Sequence, residues 1–391
     1  MSVKTSGAGA KTLQAAEPMP ARSPRPAVRV TSVDVLRGIT IAGMILVNTA
    51  GDFEHVYRPL DHAPWDGLRL ADVVFPFFVF VMGVSLDLAL SRALALGATR
   101  LQLVPKIVRR TLILFALGLL CNSFPSLDLA TIRIPGVLQR IALAYAGGAA
   151  VLLLVRSSLG RAGVAAFLVL GYEALLSFVP VPGLGRGLRT PEANLVGYLD
   201  QLVLPGHLLT STFDPEGLLS TLPTIATALI GVLCGTWLRE GREGGRVIAG
   251  FLIAGLACTV AGLALDPIIP VNKSLWSGTF VLVTVGLGMS CLALLHGMVD
   301  LLGWRLWALP FEMLGSNAIV LYVGSTLVNT LMIAFVAGPQ GELVWKELVN
   351  RWLADFAGEP TLGSLLYAVA FLAVWTGVAA LLWLRKIFIK I

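Results

Sequence analysis

Ten apolar runs, each near the length of a membrane-crossing helix, constrain this 391-residue chain more than any other feature. A bilayer core of about 30 Å requires about 20 apolar residues per helix. The runs lie near 33–50, 69–90, 107–122, 135–155, 163–179, 218–238, 247–265, 277–299, 310–336 and 364–384, the third and fifth being short. Charged residues make up 13% of the chain, against about a quarter in a soluble domain, so a water-facing surface cannot be built from it. The expected fold class is an all-α integral membrane protein of about ten transmembrane helices, with the lipid bilayer as its solvent. A nucleic-acid partner is excluded, because the basic residues are scattered among leucines rather than gathered on a face.

Residues 1–30 hold Ala, Pro, Ser and Arg without an apolar core, which fits no cleavable signal peptide. They are expected to form a disordered cytoplasmic tail, and 31–391 a polytopic transmembrane domain. With ten spans, both termini share one side. Nineteen Lys and Arg residues fall on that side, among them Arg92, Arg100, Lys106, Arg109, Arg110, Arg239 and Arg385. Eight fall on the other: Arg58, Arg69, Arg133, Arg186, Arg189, Lys273, Lys346 and Arg351. The formal net charge of +6 is thus a statement of orientation, with both termini cytoplasmic. Two connections are long, 180–217 and 337–363.

Cys121, Cys234, Cys258 and Cys291 sit in or beside apolar runs without pairing or neighbouring histidines, as small buried hydrophobes do. No spacing of His, Cys and carboxylate resembles a metal site, and no GxSxG or P-loop is present.

Polar residues at membrane depth are costly and mark sites. Asp34 and Arg37 are three apart on one helix face at the inner end of the first span, either as a snorkelling ion pair or as a ligand contact. Asn48 ends that span. The outer connection that follows carries His55, then Asp61-His62-Ala63-Pro64-Trp65-Asp66, and Asp72 stands just inside the second span. An imidazole oriented by a carboxylate and partly desolvated by an indole has what a general base needs near neutral pH; a solvated loop histidine is the plainer alternative. Gln139 and Arg140 open the fourth span, where Arg140 needs an acid such as Asp128. Asp214-Pro215-Glu216-Gly217 and Asn272-Lys273 read as outer-edge turns whose Pro and Asn suit helix starts, either as sites or as caps, and Gly315-Ser316-Asn317 is a further polar cluster. Glu173 and Glu312 are left without assigned partners. Gly231 and Gly235, four apart, permit close helix contact.

The order SVDVLRG, LVN, HAPWDGLRLADVVFPFFVFVMG, IPGVLQRIALAY, DPEGLLSTLPTIATALIGVLCG, VNKSLW, GSNAIVLYVG resembles the heparan-alpha-glucosaminide N-acetyltransferase family from about residue 31 to 385. It is most similar to bacterial members without the amino-terminal luminal domain, which implies the bacterial inner membrane. The resemblance implies transfer of an acetyl group from cytoplasmic acetyl-CoA to an amino sugar of glucosamine type on the far side. It implies His62 as the catalytic residue, with Asn48 and Asp72 beside it. It implies an acetyl-CoA site drawn from Gln139, Arg140, Asn272, Lys273, Ser316 and Asn317, to which Arg37 is added as the inner contact. Some relatives carry a histidine after YVG; this chain has Ser325. The orientation read from charge puts His62 outside, where this chemistry needs it. The competing reading is a polytopic transporter of a sugar or small metabolite. No metal is expected, and a homodimer is the default assembly.

Overall fold

A computed structural model describes residues 30–128, 130–337 and 343–389. The expected tail, residues 1–29, lies outside the described residues. The described chain is mainly helical, with one short antiparallel pairing, β1 (Val336–Ala337) with β2 (Leu343–Val344), in the connection between the eleventh and twelfth helices. The helices are α1 (Thr31–Asn48), α2 (Leu70–Ala95), α3 (Arg100–Ser123), α4 (Val137–Leu154), α5 (Ser158–Phe178), α6 (Leu195–Val203), α7 (Thr221–Arg239), α8 (Gly244–Leu265), α9 (Gly278–Leu295), α10 (Leu309–Ser316), α11 (Ala318–Ala334), α12 (Trp345–Ala357) and α13 (Pro360–Leu384). A wider π-turn, His296–Leu301, continues α9.

Among the described residues, eight helices are long and apolar enough to cross a membrane: α1, α2, α4, α5, α7, α8, α9 and α13. The expected span at 310–336 is broken instead, with α10 and α11 meeting at 82°. At the break, Asn317 gives its side chain to the chain's far end, accepting from Ile389 N (2.9 Å) and donating to Ile387 O (3.0 Å). α3, the short third run, starts earlier than its apolar stretch, because Thr99 and Gln102 cap each other reciprocally. Its cationic first half, with Lys106, Arg109 and Arg110, keeps it outside the apolar class although it has 24 residues. The long outer connections hold α6 and α12.

α1, α2, α7 and α9 are largely buried, whereas α5, α8 and α13 turn most of their apolar surface outward. An exposed belt of that kind, with Leu256, Val260 and Leu263 on α8 and Val374 and Leu381 on α13, is what a bilayer solvates. The centre is the contact of α2 with α7, and it is closed to the backbone. A Cβ added at Gly83 would lie 2.0 Å from the Ala228 carbonyl oxygen, and one at Gly231 2.1 Å from that of Phe80. α1 and α10 meet the same way: a Cβ at Gly38 would fall 1.7 Å from the Phe311 carbonyl oxygen. At the basic end the buried Asp87 of α2 accepts from Thr236 Oγ1 (3.0 Å) and Arg239 Nε (3.2 Å) of α7.

Gly231→Val should therefore cost about 2 kcal/mol or more, since the neighbour it strikes is backbone and cannot rotate away. Thermal unfolding of the detergent-purified variant should show a clear fall in Tm, and an unchanged Tm would mean the helices are not in backbone contact.

Candidate active site

Asp72 occupies the third position of α2 and its carboxylate is 1% exposed. Oδ2 accepts the backbone N–H of Ala63 (3.0 Å) and of Arg69 (3.0 Å), and Oδ1 lies 2.8 Å from His62 Nδ1. A carboxylate only accepts, so in the neutral ring Nδ1 carries the proton and Nε2 the lone pair. The His62 side chain is 44% exposed and faces the outer end of the bundle. Arg69 closes the loop by donating to Asp61 Oδ2 (2.5 Å) and to the His62 carbonyl (2.8 Å).

Lys273 reaches the same ring from the turn before α9. Its Nζ is 3.0 Å from His62 Nδ1, 3.4 Å from Nε2 and 3.5 Å from Asp72 Oδ1. Burial pushes this ammonium below the ordinary lysine range, while Asp72 and Glu216 pull the other way. Asn272 makes the turn rigid. It donates to Trp65 O (3.2 Å) and Asp66 Oδ1 (3.0 Å), and its own Oδ1 accepts from Leu275 N (2.8 Å). Gly67 N donates to Val271 O (2.7 Å), so the 61–69 loop and the 271–277 turn are stitched into one platform.

A second platform lies under it. Arg133 makes a bidentate pair with Asp214 (2.8 and 2.7 Å) and reaches Glu216 (2.5 Å). Burial alone would lower Arg133, but these two carboxylates hold it above the usual arginine value. Arg140 is buried over the Trp276 ring at 5.3 Å and donates to Gly217 O (2.9 Å) and Ser220 Oγ. Its facing acids are Glu216, Asp214 and Asp200. The expected partner Asp128 instead accepts from Ala130 N and Thr131 Oγ1. Gln139 packs against Gly118 of α3. Glu173 is tied to Arg189 (2.7 Å) and to the start of α9 at Gly278 N (2.6 Å).

At the basic end a cavity of about 350 Å³ is lined by Arg37, Ser85, Arg110, Tyr145, Ser316 and apolar residues including Phe78, Met82 and Leu114. Arg37 donates to Asp34 (3.0 Å), Gly315 O (3.3 Å) and Ser85 Oγ (2.5 Å). Arg110 lies over the Tyr145 ring at 4.7 Å, and its Nε is buried without a hydrogen-bond partner among the described residues. The cavity begins at Phe78, six residues or about 9 Å of helix rise from Asp72 on the same helix.

Of the residues singled out by sequence, the structure gathers His62, Asp72 and Lys273 at the outer end, and Arg37 and Ser316 at the cavity. Asn272 and Asn317 are buried fasteners, and Gln139 and Arg140 are buried away from the cavity lining. Asn48 is exposed at the outer end of α1. Arg69, Ser85 and Tyr145 join these sites without a sequence signal, since nothing in their local spacing separates them from ordinary cap and core positions.

The family model for heparan-alpha-glucosaminide N-acetyltransferase, catalytic, matches residues 29–260, a stretch that contains His62, Asp72 and most of the cavity. The chain belongs to this family. The human heparan-alpha-glucosaminide N-acetyltransferase is 31% identical and the mouse protein 30% identical, each over 93% of this chain. The chain spans 60% of the length of these relatives. The matched stretch of the N-acetyltransferase family ends before Lys273, Ser316 and Asn317.

Asp200, on α6, is fully buried; Oδ1 accepts from Leu218 N (2.8 Å) and Oδ2 has no partner among the described residues. Burial, with Asp214 nearby, pushes its carboxyl up to about 6. A raised carboxyl favours folding below its unfolded value and loses that contribution as pH rises through about 6. Asp200→Asn should therefore raise Tm at pH 8, by on the order of 2 kcal/mol of stability, and change it little at pH 4. Equal effects at both pH values would contradict the assignment.

Proposed function

We propose that the chain is a transmembrane acetyltransferase that moves an acetyl group from acetyl-CoA at the basic end to the amine of a glucosamine-type sugar at the His62 end. The observation that carries the reading is a half-exposed imidazole whose Nδ1 proton is held by a buried carboxylate. That arrangement leaves Nε2 open as a base at the head of the helix that also lines the cavity. The cavity suits a thioester arm. It is apolar along α2, with Ser85 and Ser316 available to amide groups and Arg37 and Arg110 available to phosphates.

In this reading His62 Nε2 takes the proton from the sugar amine as the nitrogen attacks the thioester carbonyl. The C–N bond forms, the C–S bond breaks and the thiolate leaves; the imidazolium then returns its proton to the departing sulfur or to solvent. Asp72 keeps the ring in the productive tautomer and offsets the charge it acquires. Asn48, at the end of α1, is assigned to donate a hydrogen bond to the carbonyl oxygen as it becomes negative, a contact typically worth about 3 kcal/mol. Asn317 is kept in the acetyl-CoA site because it stands beside Ser316 of the cavity, whereas Asn272, Gln139 and Arg140 support the His62 end and do not line this cavity. The basic end faces the cytoplasm of a bacterial inner membrane, and the acceptor is met on the periplasmic side. Oxygen-rich acids such as Asp52 and Asp61 favour an incoming ammonium there. Asp52 is held below the usual carboxylate range by hydrogen bonds from His55 and from the Glu54 N–H.

The test is release of CoA by purified protein supplied with acetyl-CoA and glucosamine. His62→Ala should lower kcat about 10²–10⁴-fold with little change in the KM for acetyl-CoA. Turnover near that of the parent protein would remove His62 from the chemistry.

Arg110→Ala should do the reverse, raising the KM for acetyl-CoA about tenfold while kcat holds, because a charge-assisted contact is lost in binding alone. An unchanged KM would move the donor site away from this cavity.

A further inference from the structure

Lys273 Nζ lies within 3.4 Å of both nitrogens of the His62 ring. The in-plane directions of hydrogen bonding at the two ring nitrogens diverge, so one ammonium close to both cannot lie along either. Nδ1 is in any case already committed to Asp72. The ammonium therefore stands over the face of the imidazole, in the manner of a cation on a π-system, and leaves the Nε2 lone pair open in the ring plane.

We infer that Lys273 is a positioning residue that acts through His62: its charge, over the ring face, disfavours the imidazolium and keeps His62 an unprotonated base between turnovers. A cation at this distance is attracted to the neutral ring and repelled by the charged one. The groups facing the ring are few. Asp72 comes from α2, Asp61 and Arg69 engage the His62 backbone from its own loop, and Lys273 comes from the turn before α9. Burial works against the charge on Lys273, and Asp72 and Glu216, the latter from the turn before α7, work in its favour. Asn272 then has a role that needs no contact with substrate. Its bonds to the 61–69 loop lock the Lys273 backbone relative to His62. This differs from a lysine that binds the donor's phosphates, which would sit at the other end of the molecule with Arg37 and Arg110.

The inference takes its meaning from the acetyl-transfer reading, yet one readout is independent of it. Diethyl pyrocarbonate modifies an imidazole only when it is unprotonated, so the pH dependence of modification at His62, followed by peptide mass spectrometry on the purified full-length protein, reports the ring directly. Lys273→Met should move the midpoint of that curve, and the low-pH limb of kcat/KM, toward higher pH by about one unit. Lys273→Arg should leave both near their original positions, and Lys273→Gln serves as the neutral variant if Met does not fold. A neutral variant whose His62 curve does not move overturns the inference. So does one that leaves the curve in place and raises only the KM for acetyl-CoA. If the parent protein transfers no acetyl group but the modification curve moves as expected, the reading of function fails and the role of Lys273 stands.

Discussion

The buried charge of Asp72 is the constraint on which the outer half of the molecule depends. An ionised carboxylate out of water costs several kcal/mol unless donors replace its hydration. Here the donors come from three places: the loop at Ala63, the helix start at Arg69 and the ring of His62. The position also gains from the partial positive charge at the start of α2. None of the three donors can be in place unless the 61–69 loop folds back over the helix end. Loop shape, ring orientation and the first turn of α2 are therefore one event. Pro76 fits the same picture, since it has no N–H to offer the Asp72 carbonyl four residues earlier and leaves that turn less committed to the helix.

α2 is also the ruler of the molecule. Its first turn carries Asp72, and Phe78, Met82 and Ser85 wall the cavity farther along. Its middle is pinned to α7 through glycines that allow backbone contact, and its basic end is tied by Asp87 to Arg239 and Thr236. Contacts of that kind are short-range and steep, so the outer base and the inner cavity are held at a set separation. An aromatic chain, Phe75 to Trp276 at 5.1 Å and Trp276 to Phe280 at 5.3 Å, fills the space beside it. Trp276 holds a left-handed backbone conformation (φ 52°), which ends the turn that presents Lys273.

The helical, membrane-crossing pattern and the grouping of His62 with Asp72 are legible in the sequence. The reason is physical: apolar length is a local quantity, and Asp72 follows His62 by only ten residues. What the sequence hides depends on long-range pairing. Arg140 needs an acid, and the nearest in sequence, Asp128, is engaged in its own turn, whereas Asp214 and Glu216 arrive from more than seventy residues away. Asn317 finds its partners far along the chain, at Ile387 and Ile389, which nothing in its own segment announces. That pairing breaks the expected ninth span into α10 and α11. Glu173 gains Arg189 and the α9 start, neither of which its neighbours announce. The glycines at 231 and 235 carry a real contact, which the abundance of glycine along the chain masks.

The outer charges are best understood as a single alternating series. Asp72 faces Lys273, Lys273 faces Glu216, Glu216 and Asp214 hold Arg133, and the same acids face Arg140 with Asp200 behind it. Each cation stands near anions, so the buried ions are less costly together than they would be singly. The series is not fully hydrogen-bonded. Arg140 Nε and Nη1 and both polar atoms of the Gln139 amide lack partners among the described residues, at about 1–3 kcal/mol for each such atom. A proton arriving at His62 then meets Asp72 and Lys273 first, with the rest of the series balanced behind them. His62 itself touches only the end of this series, with Asp72 at its Nδ1 and Lys273 beside the ring.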